Sequence, residues 1–139
     1  MRVENSKFEA RNPKQIQMAE GVQNSKQYNL EDRTLAFAKQ LRIFVKKLPK
    51  TIGNIEDGKQ VIRSSGSVGA NYIEANESLS KKDFVMRVKI ARKESKETRY
   101  WLNLVDANNI SELETERTAL VKEVTELMMI LGSIIRKSE

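Results

Sequence analysis

The run Ser64-Ser65-Gly66-Ser67-Val68-Gly69-Ala70-Asn71-Tyr72 lies in the middle of an otherwise helical pattern. Val61, Ser65, Val68 and Tyr72 recur at spacings of three and four, and Ile62, Gly66, Gly69 and Ile73 form a second such series beside them. Both series fit the period of an α-helix. Gly66 and Gly69 each cost about 1 kcal/mol relative to Ala in a helix interior, a loss that close approach of a neighbouring backbone offsets. Ser65, Gly66, Gly69, Ala70 and Asn71 are therefore expected at a tight contact between helices, with Asn71 able to cross-link them. Read instead as a phosphate-binding loop, the segment lacks both the GK[ST] ending and a preceding strand.

Working outward, three more stretches show the same period. The first helix is expected from Asn29, whose side chain caps with Asp32 at the third helical position, to Leu48, where Pro49 restricts the chain. Its apolar face is Leu35, Phe37, Ala38, Leu41, Phe44, Val45 and Leu48. The second is expected from about Ile55 to Ser78, capped by Asn54, with Glu56 and Asp57 in its first turn. Ser80 with Asp83 starts a third helix that should reach about Asn108, with a seam of Phe84, Val88, Ala91, Ser95, Thr98, Leu102 and Val105. Small residues in this seam match those of the second helix, so the two middles should touch. Ser111 is expected to cap a fourth helix, with Glu114 at the matching position, lined by Leu113, Leu120, Val124, Leu127, Leu131 and Ile134. Val121, Met128, Ile130 and Ile135 widen its apolar surface beyond one side of a bundle core, which points to contact with another subunit.

Long helices joined by short turns predict an all-α, antiparallel up-down-up-down four-helix bundle over residues 29–139. Met1–Tyr28 is polar, carries Pro13 and Gly21, and has scattered apolar residues that cannot form a stripe; it reads as a mobile arm. The 139 residues suit one domain, and 39% apolar with 32% charged residues fits a soluble globular chain. No apolar run approaches the ~20 residues of a membrane helix, and the polar first ten residues lack a signal-peptide centre, so no membrane partner is expected and the cytoplasm is the expected location. The absence of Cys and His excludes thiol catalysis, disulfides, zinc fingers and imidazole chemistry. No cofactor is implied.

A net charge of +6 and a pI near 9.6 favour polyanionic partners. The excess sits on the first and third helices. Lys39, Arg42 and Lys46 share one face of the first. Lys82, Lys89, Arg92, Lys93, Lys96 and Arg99 fall within about a third of the circumference of the third, at about 100° per residue, on the flank away from its seam. Such a ribbon neutralises phosphates and binds RNA or DNA with strong salt dependence; the bland reading is a solvated face, with Glu94 and Glu97 offsetting part of the charge.

Two carboxylate pairs carry the competing enzymatic reading. Glu74 with Glu77, and Glu94 with Glu97, resemble the paired carboxylates with which all-α nucleoside-triphosphate pyrophosphohydrolases hold Mg²⁺, although the last position is Glu rather than Asp. Ordinary helix salt bridges explain the same residues. A di-iron centre would need His three residues after Glu. Tyr72 and Trp101 read as packing groups with a polar tip, since neither interleaves with the basic ribbon.

The strings SSGSVGANYIEANES (Ser64–Ser78) and SKKDFVMRVKIARKESKETRYWL (Ser80–Leu102), with the long apolar fourth helix, resemble a bacterial family of four-helix bundles encoded in intervening sequences of large-subunit ribosomal RNA genes. That family includes the accessory variability protein of diversity-generating retroelements. The likeness covers about residues 30–137. It implies a homopentamer around a central channel with basic outer surfaces engaging nucleic acid, and, for the accessory members, a scaffold binding a reverse transcriptase and its template RNA. It places Ser65, Gly69, Ala70 and Asn71 in the helix contact and Phe84, Ala91, Glu97 and Leu102 in the third-helix motif. It transfers no catalytic residue. A non-enzymatic, oligomeric nucleic-acid scaffold is the function expected, with the pyrophosphohydrolase and a purely structural oligomer as alternatives.

Overall fold

The computed structural model describes residues 29–139, so the expected N-terminal arm, Met1–Tyr28, lies outside the described residues. Four helices follow in order: α1 (Leu30–Lys47), α2 (Ile52–Asn76), α3 (Lys81–Leu104) and α4 (Ser111–Ser138). No strand occurs among the described residues. Each helix packs on the next and α4 returns to α1, so α1 and α3 occupy diagonal corners of an all-α four-helix bundle.

Two starts follow the sequence signals. The Asn29 side chain accepts a hydrogen bond from the Asp32 backbone N–H at 3.2 Å, and Ser80 Oγ accepts one from Asp83 at 3.1 Å. The other boundaries differ from expectation. Helix α2 begins at Ile52, because Thr51 Oγ1 takes the capping bond from the Asn54 N–H at 3.1 Å. No acidic residue falls in its first turn. Asn54 is instead buried and used as a tether. Its Nδ2 donates to the carbonyls of Pro49 at 2.8 Å and Asp106 at 2.9 Å, while Oδ1 accepts from the Asp106 N–H at 2.8 Å. That grip stops α3 at Leu104 rather than near Asn108. Beyond it Asn108 and Asn109 take left-handed backbone, at φ 56° and 58°, which Asn tolerates better than most side chains. Ser111 is the first residue of α4 and not its cap; the cap position is Ile110, which makes no side-chain capping bond.

The core is a continuous cluster of inward residues from all four helices, including Phe37, Leu41 and Phe44 of α1, Val61, Val68 and Tyr72 of α2, Phe84, Val88 and Leu102 of α3, and Val124, Leu127 and Leu131 of α4. Every expected seam residue of α3 is buried. The middles of α2 and α3 do touch, with Ser64 Oγ and Thr98 Oγ1 sharing a hydrogen bond of 2.8 Å inside the bundle. The glycines turn to the other neighbour. A Cβ on Gly69 would stand 2.6 Å from Thr34 Oγ1 of α1, so this glycine is what lets α1 approach. Thr34 thereby occupies the inward position, and Leu35, expected in the core, is 53% exposed on the outside. On α4 the reverse holds. Ile135, expected to face outward, is buried, and Val121 and Ile130 pack against the core, so much of the supposed spare apolar surface is used within one chain.

Candidate nucleic-acid interface

The regular period of α3 sorts its charges by neighbour. On the flank toward α2 the charges are compensated. Arg87 pairs with Glu74 at 3.1 Å and donates to Asn71 Oδ1 at 3.3 Å, while Arg63 of α2 reaches Glu97 at 3.2 Å and Glu94 at 3.6 Å. Asn71 thus links α2 to α3 as expected from its type, while its own Nδ2 donates to the Ser67 carbonyl. Of the other residues expected at the contact, Ser65 is buried, Gly66 and Gly69 are half-buried, and Ala70 is exposed and outside the contact within this chain.

The flank toward α4 is different. Arg99 donates to Thr125 Oγ1 at 3.3 Å, Arg92 comes over Gly132, and Lys89 pairs with Glu139 at 3.0 Å. Lys82, Lys93 and Lys96 are exposed and have no carboxylate partner among the described residues. Lys89, Arg92 and Arg99 therefore lie over the α3–α4 seam, while Lys82, Lys93 and Lys96 are exposed on the same third of α3, with Glu139 as an ion-paired carboxylate beside Lys89. Lys39, Arg42 and Lys46 do not join it. All three are exposed on α1, at the diagonal corner, and the Arg42 guanidinium is turned back on the Ala38 carbonyl at 3.2 Å. The basic residues of α1 and α3 thus lie on two separate faces.

The carboxylate pairs do not assemble. Glu74 is held by Arg87 and Glu94 and Glu97 by Arg63, and among the described residues no group of three or more acidic side chains gathers where it would hold a metal ion. One Glu94 oxygen is buried without a hydrogen bond, its charge met only by Arg63. Trp101 is half-buried against the core with Tyr100 edge-on at 5.1 Å between ring centroids, which fits the packing role expected of it.

Two residues of this surface escaped the sequence reading: Gly132 and Arg136, one turn apart on α4. A glycine within an apolar helix, followed four residues later by arginine on the same face, was the available signal.

Residues 16–133 match the family described as 23S rRNA-intervening sequence protein. The chain belongs to that family. The match reaches further toward the N-terminus than the likeness expected from residue 30. Among solved structures, the chain is similar to a protein of unknown function from Bacteroides thetaiotaomicron VPI-5482, described as of the S23 ribosomal protein family, at 31% identity and a TM-score of 0.62. The similarity covers 76% of this chain and 96% of the other. No curated protein matches it. Among the described residues, no helix is long and apolar enough to cross a membrane.

Proposed function

We propose that this 23S rRNA-intervening sequence family protein is a non-enzymatic, self-associating helical scaffold that binds RNA or DNA through the α3–α4 face. The supporting observation is the uneven compensation of α3: its α2 flank is closed by arginine–glutamate pairs, while the opposite flank keeps Lys82, Arg92, Lys93 and Lys96 without carboxylate partners among the described residues. Cations placed side by side and left unpaired are what a phosphate backbone neutralises, with release of its counterions. The α1 set at the far corner adds long-range attraction only.

Binding of a labelled RNA duplex and a DNA duplex, followed by anisotropy from low to moderate salt, tests this. Affinity should fall steeply with salt, and the quadruple Lys89→Ala, Arg92→Ala, Lys93→Ala, Lys96→Ala variant should bind all sequences more weakly and with a shallower salt slope. Unchanged affinity in that variant would remove the α3 ribbon from the function.

For self-association, α1 offers two exposed apolar residues, Ile43 in the wall of a groove of about 470 Å³ between α1 and α4 floored by Ala36, Phe37, Ala119 and Leu120, and Leu35 further round the same helix. A homopentamer is the state the family resemblance implies. Light scattering of Leu35→Glu/Ile43→Glu should show a smaller particle than the native chain; an unaltered mass would exclude this face.

A further inference from the structure

We infer that Arg92 and Arg136, converging over Gly132 in the cleft between α3 and α4, form a phosphate-binding subsite; the proposed nucleic-acid role supplies the source of the phosphate. Gly132 is buried in α4, and a Cβ placed on it would lie 3.4 Å from Arg136 Nη1 and 4.0 Å from Arg92 Nε. Two guanidinium groups from different helices therefore face one small gap. Neither has a carboxylate partner among the described residues, and Glu139 at the same end of α4 is engaged by Lys89. The cleft has a volume of about 500 Å³, with Ser133 and the side chains of Met128 and Met129 completing its walls.

Three features point to a phosphate. Guanidinium groups present a planar fork of donors that fits phosphate oxygens in bidentate fashion, and two such forks converging from separate helices can share one group between them. Like charges held together without compensation repel until an anion enters. A single Cβ at Gly132 would already come into van der Waals contact with Arg136 and near Arg92, so a longer side chain such as Leu would occupy the space between the two guanidinium groups. Glycine at this position keeps the gap open.

The full chain is titrated with inorganic phosphate against chloride at matched ionic strength, following the Arg Nε–Hε signals by NMR. In parallel, a labelled RNA oligonucleotide is bound by the native chain, by Arg92→Ala/Arg136→Ala, by Gly132→Leu, and by Lys39→Ala/Lys46→Ala as a charge-matched control at the distant corner. The arginine pair should lower RNA affinity at least ~10-fold beyond the control and flatten the log–log salt slope by about 0.7, the equivalent of one single-strand phosphate contact. Gly132→Leu, which leaves the charge unchanged, should also weaken binding. Equal losses in the arginine pair and the control would overturn the subsite while leaving general RNA binding intact. Phosphate-dependent shifts of Arg92 and Arg136 without RNA binding would keep the subsite, as one for free phosphate, and overturn the nucleic-acid role. Neither response would overturn both.

Discussion

The α2–α3 pair and the α1 helix are fastened by different physics. Between α2 and α3 the buried middle of the contact is made by small and hydroxyl side chains, Ser64 on Thr98 at 2.8 Å among them, and is tied at one end by the three hydrogen bonds of Asn54 to Pro49 and Asp106; the ion pairs of Arg63 and Arg87 only border it. Such contacts are short, buried and specific. Helix α1 leans on α2 at Gly69, but toward α4 it leaves a groove whose rim is made of ion pairs: Arg33 with Glu123 at 2.7 Å and Glu126 at 2.8 Å, and Lys47 with Glu116 at 2.8 Å. Surface ion pairs contribute little and are screened by salt. The bundle is thus a rigid α2–α3 unit that orients the basic flank of α3, with α1 as its more weakly held element.

The largest expected effect is at the tether. Asn54→Ala removes partners from two carbonyls and one N–H in a buried place, which should destabilise the fold by about 2–4 kcal/mol. Thr51→Ala, which removes only the cap, should cost about 1 kcal/mol. Urea unfolding midpoints separate the two, and equal losses would mean that Asn54 is no more than a helix-start residue. Next comes Gly69→Ala. Helix propensity alone favours the change by about 1 kcal/mol, but the new methyl would meet Thr34 Oγ1 at 2.6 Å and Thr34 Cβ at 3.1 Å, so the strain of overpacking, typically about 1–3 kcal/mol, should win. Adding Thr34→Ala removes the nearer of those atoms and should recover much of the loss. A stabilised Gly69→Ala would show that α1 is free to move away, making it looser still.

What was legible in the sequence divides along the same line. The seam of α3 was readable throughout, because a helix buried on one side repeats its apolar and small residues at the helical period, and Phe84 through Val105 keep that repeat without a break. The Gly66–Gly69 run was readable as a close contact, yet which neighbour it met was not, since a glycine carries no side chain to indicate direction. Asn54 was misread for a related reason. An asparagine near a helix start looks the same whether it caps or tethers, and the difference lies in Asp106, 52 residues away. Leu35 failed because period alone cannot tell Thr34 from Leu35 as the inward residue until Gly69 makes room for the smaller one. At the candidate interface, the charges of α3 were visible from spacing, whereas their division into a compensated and an uncompensated flank required the positions of Arg63, Glu74 and Glu139.

The smallest effect concerns the rim of the α1–α4 groove. Arg33 is mostly covered, and its donation to the Glu123 carboxylate raises the guanidinium above its ordinary range by more than burial lowers it, with Glu126 adding to the rise. It stays charged at every pH at which the protein is folded, so the interaction is sensitive to salt rather than to its own titration. Glu123 and Glu126 remain partly open to solvent, which limits the expected cost of Arg33→Ala to about 1 kcal/mol. Two readouts sharpen the contrast with Asn54→Ala. The cost of Arg33→Ala should shrink at high salt, while that of Asn54→Ala, which involves no charge pair, should persist. Amide exchange in the variant should rise along α1 and leave the middles of α2 and α3 protected, because their seam loses nothing when Arg33 is cut back. A uniform rise across all four helices would mean that the α1–α4 rim is as integral to the fold as the α2–α3 seam, and that α1 cannot loosen by itself.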